Sequence, residues 1–185
     1  MHRFLFMLLF LPTYLIASDA TVVLVKGNVT VDMKQVVLGQ VIKEGKEIDA
    51  MGPKSVIQLS FSDKSRILLK HGILKIEKPT AGQETFLRLV KGILYAQKAK
   101  GNLNFKLATA NATMGVRGTK FFVSETEAES YLCVCEGLVS VSNNLSTAEV
   151  GIKEDLRVKP GEKFEKTKAN DMMWALALKG FTEMI

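Results

Sequence analysis

An all-β fold is predicted for this chain: a β-solenoid-like roll or a compact sandwich of many short strands, followed by a short C-terminal α-helix. Three observations predict it. From Thr21 to Phe164 the sequence is a succession of short apolar runs rich in Val, Ile, Leu and Phe, broken by glycine or polar turns, the pattern of closely spaced strands. Several runs alternate strictly, as in Ile57-Gln58-Leu59-Ser60-Phe61 and Leu138-Val139-Ser140-Val141-Ser142, which buries one face and wets the other. No amphipathic helical period is convincing before Thr167.

In chain order the strands are expected at Val22 to Val25, Val36 to Val41, Val56 to Phe61, Ile67 to Leu69 and Phe86 to Val90. Leu103 to Leu107, Phe121 to Val123, Tyr131 to Cys135 and Leu156 to Val158 continue the series. Between them Met51-Gly52-Pro53-Lys54, Ser62-Asp63-Lys64-Ser65 and Lys100-Gly101-Asn102 carry turn chemistry. A pattern of apolar, charged, glycine, any residue, apolar recurs at Val25-Lys26-Gly27-Asn28-Val29, Val90-Lys91-Gly92-Ile93-Leu94 and Cys135-Glu136-Gly137-Leu138-Val139. Lys70-His71-Gly72-Ile73-Leu74 is a looser copy. Repeated strand–glycine–strand corners suit a sheet that bends repeatedly, and their uneven spacing argues against a regular solenoid.

The two ends differ in kind. His2-Arg3, the apolar run Phe4 to Ile16 and the small residues Ser18-Asp19-Ala20 form a secretory signal peptide, too short in its apolar part to span a bilayer comfortably. No cysteine follows that run to carry a lipoprotein anchor, so a periplasmic or secreted product without a membrane segment is expected. At the other end Asn170 or Asp171 caps a run of good helix formers, and Lys179-Gly180 is read as its stop. This tail is expected to dock on an open end of the sheet with Trp174 as anchor; the alternative is an exposed helix that presents Trp174 to a partner. The expected division is a signal peptide at 1–20, a β-domain at 21–166 and a helical tail at 167–185.

The chain carries 25 basic and 19 acidic residues. The lysines are scattered singly and not gathered in a block, so nucleic acid is not an expected partner. Cys133 and Cys135 are the only cysteines; they fall on one face of a strand beside Tyr131, where a bridge would be strained. They are read as small core residues, and no metal or cofactor site is expected, since two thiols and the single histidine beyond the leader, His71, fall short of a zinc set. No nucleophile motif, phosphate loop or selected carboxylate pair is present, so no enzymatic activity is expected.

The most informative segment is Gly115-Val116-Arg117-Gly118-Thr119 running into Lys120-Phe121-Phe122-Val123. Gly115 and Gly118 are read as forming a sharp turn around Arg117. Arg117 is expected to be buried against turn carbonyls and an acid, as a structural residue; the alternative is an anion site. Thr119 is expected to bond the local backbone, and Glu136, before Gly137, is a candidate partner for a cation.

These residues resemble the FecR-type domain, an extracytoplasmic module first recognised in regulators of ferric-citrate uptake. Gly115 to Val123 is similar to the family's V-R-G-T-x-F-x-V core, Val134-Cys135-Glu136-Gly137-Leu138-Val139-Ser140-Val141 to its V-x-E-G-x-V-x-V strand pair, and Ser55 to Ser65 to a segment ending in D-G-S. Ala110 stands where the family has proline and Lys64 where the hairpin has glycine. The resemblance implies a non-enzymatic binding module that recognises a protein partner or signals in the cell envelope, with extended segments adding to exposed strands. An alternative is a scaffold on envelope polysaccharide or peptidoglycan. The regulators' anti-sigma segment and membrane helix are not matched, so direct sigma-factor control is not expected of this polypeptide.

Overall fold

Alternation places one side of nearly every strand in a common core. The computed structural model describes residues 19–77, 84–100 and 104–184; the expected signal peptide lies almost wholly outside these residues, as does the Gly101-Asn102 turn. Two long strands organise the rest. β7 (Arg66–Glu77) and β8 (Glu84–Gln97) form a bent antiparallel ladder, preceded in the chain by β1 (Ala20–Lys26), β2 (Thr30–Val31), β3 (Lys34–Gln35), β4 (Val41–Ile42), β5 (Glu47–Asp49) and β6 (Val56–Phe61). They are followed by β9 (Asn104–Ala108), β10 (Thr113–Val116), β11 (Lys120–Glu125), β12 (Ser130–Glu136), β13 (Val139–Ser142), β14 (Thr147–Val150), β15 (Glu154–Val158), β16 (Glu165–Lys168) and the helix α1 (Asp171–Thr182).

The first part of β7, paired Arg66↔Gln97 to Lys70↔Ile93 with β8, belongs to one layer, in the order β4-β1-β6-β7-β8-β11-β12-β15-β16. The second part, paired Ile73↔Lys91 to Glu77↔Phe86, belongs to another, in the order β3-β2-β5-β7-β8-β9-β10-β13-β14. The inward side chains of both layers, among them Ile57, Leu59, Ile67, Leu69, Leu94 and Phe121 from the first and Ile48, Leu74, Leu87, Leu107, Met114 and Val141 from the second, join one core. The fold is therefore a sandwich made by bending one unclosed sheet, the second of the two expected architectures.

The glycine repeat marks where the chain changes layer. Gly27 lies between β1 and β2, Gly72 inside β7, Gly92 inside β8 and Gly137 between β12 and β13; each connects strands of opposite layers. Gly27, Gly92 and Gly137 have φ of +73°, +104° and +86°, where a Cβ would be strained. Short, uneven layer visits explain why the spacing is irregular.

Four local expectations change. Val36 to Val41 is mostly a loop, with only Val41 entering β4, because Gln40 Oε1 and the backbone hold a tight turn that leaves Val37 and Leu38 exposed. Gly180 does not stop the helix, which runs on to Thr182. β16 extends the sheet into the segment expected as tail. The helix itself is capped by Asn170, whose Oδ1 accepts from the Met173 amide at 2.9 Å, and it packs on the outer face of the first layer, not on an open end of the sheet as expected. There Leu68, Tyr95, Phe122, Tyr131 and Cys133 form a second apolar cluster with Met173, Trp174, Ala177 and Phe181. Trp174 is half-buried beneath Lys153, whose ammonium stands 5.7 Å from the ring centre. Cys133 and Cys135 are free thiols on this face.

Candidate functional site

β10 is in one layer and β11 in the other, so Val116 to Thr119 is itself a layer crossing. Val116 anchors it in the core and Gly118, at φ +62°, turns it. Thr119 is 1 % exposed and its carbonyl accepts from the Lys98 amide at 2.8 Å. The parallel crossing from β12 to β13 packs against it: a Cβ on Gly137 would lie 2.6 Å from Thr119 Cγ2 and 3.0 Å from the Gly118 carbonyl. The two motifs that stand out in the sequence are thus neighbouring corners of one bend.

Three expectations about these residues are revised and one is met. Gly115 is not part of the turn; it sits inside β10, level with Lys106 and Ser140 on the adjacent strands. Arg117 is exposed, and among the described residues its side chain has no ion pair or hydrogen bond, because the turn points it outward while Val116 and Thr119 take the buried positions. Thr119 Oγ1 is buried without a partner among the described residues, since its methyl faces Gly137. Glu136 meets a cation as expected, Lys120, directly across the β11–β12 ladder, at 2.9 Å.

The exposed guanidinium stands at the rim of a shallow cavity of about 300 Å³, lined by Phe105, Lys106, Gly115, Val116, Leu138 and Ser140. The nearest atom to a Cβ on Gly115 would be the Ser140 carbonyl at 3.9 Å, so the missing side chain leaves open space rather than relieving a clash. Leu138, half exposed, supplies an apolar wall. A free cation beside bare backbone and an apolar wall can seat a carboxylate carried on a short extended segment. Further along the same strands a polar cavity of about 210 Å³ is lined by Phe86, Arg88, Asn111, Thr113, Ser142 and Asn143 among others.

The other sequence candidates lie elsewhere. Trp174 is on the helix, packed against the outer face of the first layer. Asp63 caps its own turn, accepting from the Ser65 amide and hydroxyl at 2.9 and 2.8 Å. It also holds the buried ammonium of Lys98 at 2.7 Å, a pair that local periodicity does not show because it joins the β6–β7 turn to the end of β8, 35 residues further along the chain. Burial pushes the Asp63 carboxyl up, but Lys98 and Ser65 together outweigh it and hold it below its ordinary value. Among the described residues no three His, Cys, Asp or Glu side chains gather as a metal set, and no helix is long and apolar enough to cross a membrane.

Comparison with known proteins agrees with this geometry. Residues 50–140, which include both crossing motifs, match the family described as "FecR protein". Two crystal structures of a protein from Parabacteroides distasonis, described as a "putative anti-sigma factor" and determined at 2.50 and 1.65 Å resolution, are similar in fold. Each aligns with a TM-score of 0.62 at 16% identity over 72% of this chain, and the chain spans 64% and 65% of their lengths. No curated protein matches the sequence.

Proposed function

Since residues 50–140 form a FecR-type domain, we propose that the chain is an exported, non-enzymatic regulatory module that works by binding another protein in the cell envelope. One observation supports this most directly: Arg117, in the family's own motif, is an exposed cation without a partner among the described residues, beside the floor left open by Gly115. A structural arginine is expected to be buried and paired; an exposed, unpaired one at a cavity rim fits a partner's carboxylate. The open edges of β14 and β16 supply further surface for an extended segment, although Lys166 already donates to the Glu149 carbonyl on β14 at 2.9 Å. The anti-sigma description of the fold relatives agrees with a regulatory role.

A photo-crosslinking residue at Leu138 is the test. The expected result is a discrete protein adduct in cells that disappears with Arg117→Ala, while the melting curve of the purified variant stays within about 2 °C of the parent, as for other surface substitutions. Loss of the fold with Arg117→Ala, or an adduct indifferent to it, would sink this reading.

The polar cavity with Phe86, Asn111, Asn143 and Ser142 favours a second reading, a scaffold on envelope polysaccharide or peptidoglycan. Co-sedimentation with cell wall that fails on Asn143→Ala and persists with Arg117→Ala would select it.

A further inference from the structure

At the end of the sandwich opposite Arg117, turns from three strand junctions converge on the bend of β8. Val90 and Lys91 in β8, Ala110 and Asn111 after β9, Thr126 and Glu127 after β11, and Pro160 after β15 enclose a cavity of about 200 Å³ together with Glu125. Glu125 closes β11 on the core side of the strand, in step with Phe121 and Val123, and is only 2 % exposed. Its Oε2 has no hydrogen-bond partner among the described residues. Nearby, Thr109 Oγ1 and Ser130 Oγ are 2.9 Å apart, and Asn111 Nδ2 donates to Ser130 Oγ at 3.1 Å. The cation in the cavity wall, Lys91, points to Glu127, 3.7 Å away. A buried carboxyl oxygen with no donor is costly, and native proteins retain few of them without a reason.

We propose that this cavity binds a primary ammonium group on an aliphatic stem, with Glu125 as its counter-charge. The site is independent of the Arg117 surface. Val90, Ala110 and Pro160 give apolar walls for the stem, and the exposed Glu127 adds attraction at the mouth. The Ser130 hydroxyl and the Ala110 amide already act on the carboxyl, and Oε2 is its one buried oxygen without a partner among the described residues. A point-like ammonium fits one acceptor, whereas a guanidinium seeks a fork. The other charged groups in the cavity lining are Lys91 and Glu127. Burial raises the carboxyl above its ordinary value, so ammonium binding strengthens as pH rises and Glu125 ionises. The ammonium could be carried by a lysine of a partner protein or by a free alkyl diamine.

The test is an NMR titration of the whole protein with 1,5-diaminopentane and, separately, with a lysine-containing peptide whose termini are blocked. The expected result is a saturable shift of the Val90, Lys91, Asn111 and Thr126 amides with at least one probe. It should be weaker at pH 5 than at pH 7.5 and weakened at least about tenfold by Glu125→Gln. Response to the diamine alone identifies a free amine as the source, and response to the peptide alone identifies a protein lysine. No saturable shift with either probe, or a shift unchanged in Glu125→Gln, overturns the proposal. So does a shift seen only with Lys91→Met, which would make Lys91 the resident cation.

Discussion

Gly72 and Gly92 stand against each other where the two longest strands change layer, with no room for a side chain between them. A Cβ on Gly92 would lie 2.4 Å from Gly72 Cα and from the His71 carbonyl, and one on Gly72 would lie 2.4 Å from the Lys91 carbonyl. The clash is with backbone, so no rotamer change relieves it. The close approach lets the β7–β8 ladder fold over and enclose one core instead of continuing as a flat sheet.

Gly92→Ala is therefore expected to be the most damaging single-methyl change in the chain. It combines backbone overlap with a side chain at φ +104°, and overpacking plus left-handed strain costs about 3 kcal/mol or more. Thermal unfolding should show a drop of roughly 6–12 °C for a protein of this size, or no soluble product. A melting temperature within about 2 °C of the parent would disprove the back-to-back packing.

The Lys98–Asp63 pair gives a pH-dependent prediction. Lys98→Met leaves Asp63 with its burial and without its cation, which costs about 3–5 kcal/mol. Because the Asp63 carboxyl is held below its ordinary 3.8, the folded state binds its proton more weakly than the unfolded chain. The pair's contribution is thus complete above that value and is lost as pH falls through the lower, folded-state value. Chemical denaturation from pH 7 down to pH 2 should show the parent losing stability at the acid end, with Lys98→Met losing much less there. Parallel curves would rule the linkage out.

Lys64, in the same hairpin, is at φ +66°, the conformation for which the family uses glycine. Lys64→Gly removes left-handed strain of about 1–2 kcal/mol and adds backbone entropy to the unfolded chain. A net gain of up to about 1 kcal/mol in urea unfolding is expected. A loss would mean that the lysine side chain stabilises the turn in a way its geometry does not reveal.

What the sequence made legible followed from local periodicity. Strand positions such as Val56 to Phe61 were readable because Ile57, Leu59 and Phe61 alternate inward, and the Gly27, Gly72, Gly92 and Gly137 corners were readable as a repeat. Their meaning as layer crossings was not, because it depends on which strand each segment pairs with. The outward position of Arg117 is hidden for a related reason: glycine neighbours signal a turn, but the direction in which that turn points Arg117 is set by Val116 and Thr119 docking in the core. Glu125 could have been found, since it continues the inward positions of Phe121 and Val123.

The helix seat turns on a contact the sequence hid, because Gly180 read as a helix stop. Instead it is buried inside α1, where a Cβ would fall 1.8 Å from Tyr95 Cε1. The ring also meets Phe181 edge-on, with centroids 5.6 Å apart, and Lys70 holds Glu183 beyond the helix. Gly180→Ala raises intrinsic helix propensity by about 1 kcal/mol yet is expected to lift the helix off the sheet. Trp174 emission should shift to the red, and the Tyr95 hydroxyl, pushed up to about 12 chiefly by burial, should titrate nearer its ordinary 10. Unchanged emission and tyrosine titration would mean that the helix seats without this contact.

Glu125 yields the opposite pH dependence to Asp63. Burial raises its carboxyl above the ordinary 4.5 despite the Ser130 hydroxyl and the Ala110 amide, so the folded state holds the proton more tightly than the unfolded chain. Stability from this group is complete below that ordinary value and is lost as pH rises through the folded-state value. Glu125→Gln keeps the shape and removes the ionisation. It should therefore be more stable than the parent at pH 7, by about 1–3 kcal/mol on the scale of an unsatisfied buried group, and nearly equal to it at pH 4. A stability cost borne at neutral pH and removed by one amide substitution is what a residue kept for binding predicts. If Glu125→Gln is the less stable protein at pH 7, the carboxylate has a partner within the fold and is structural.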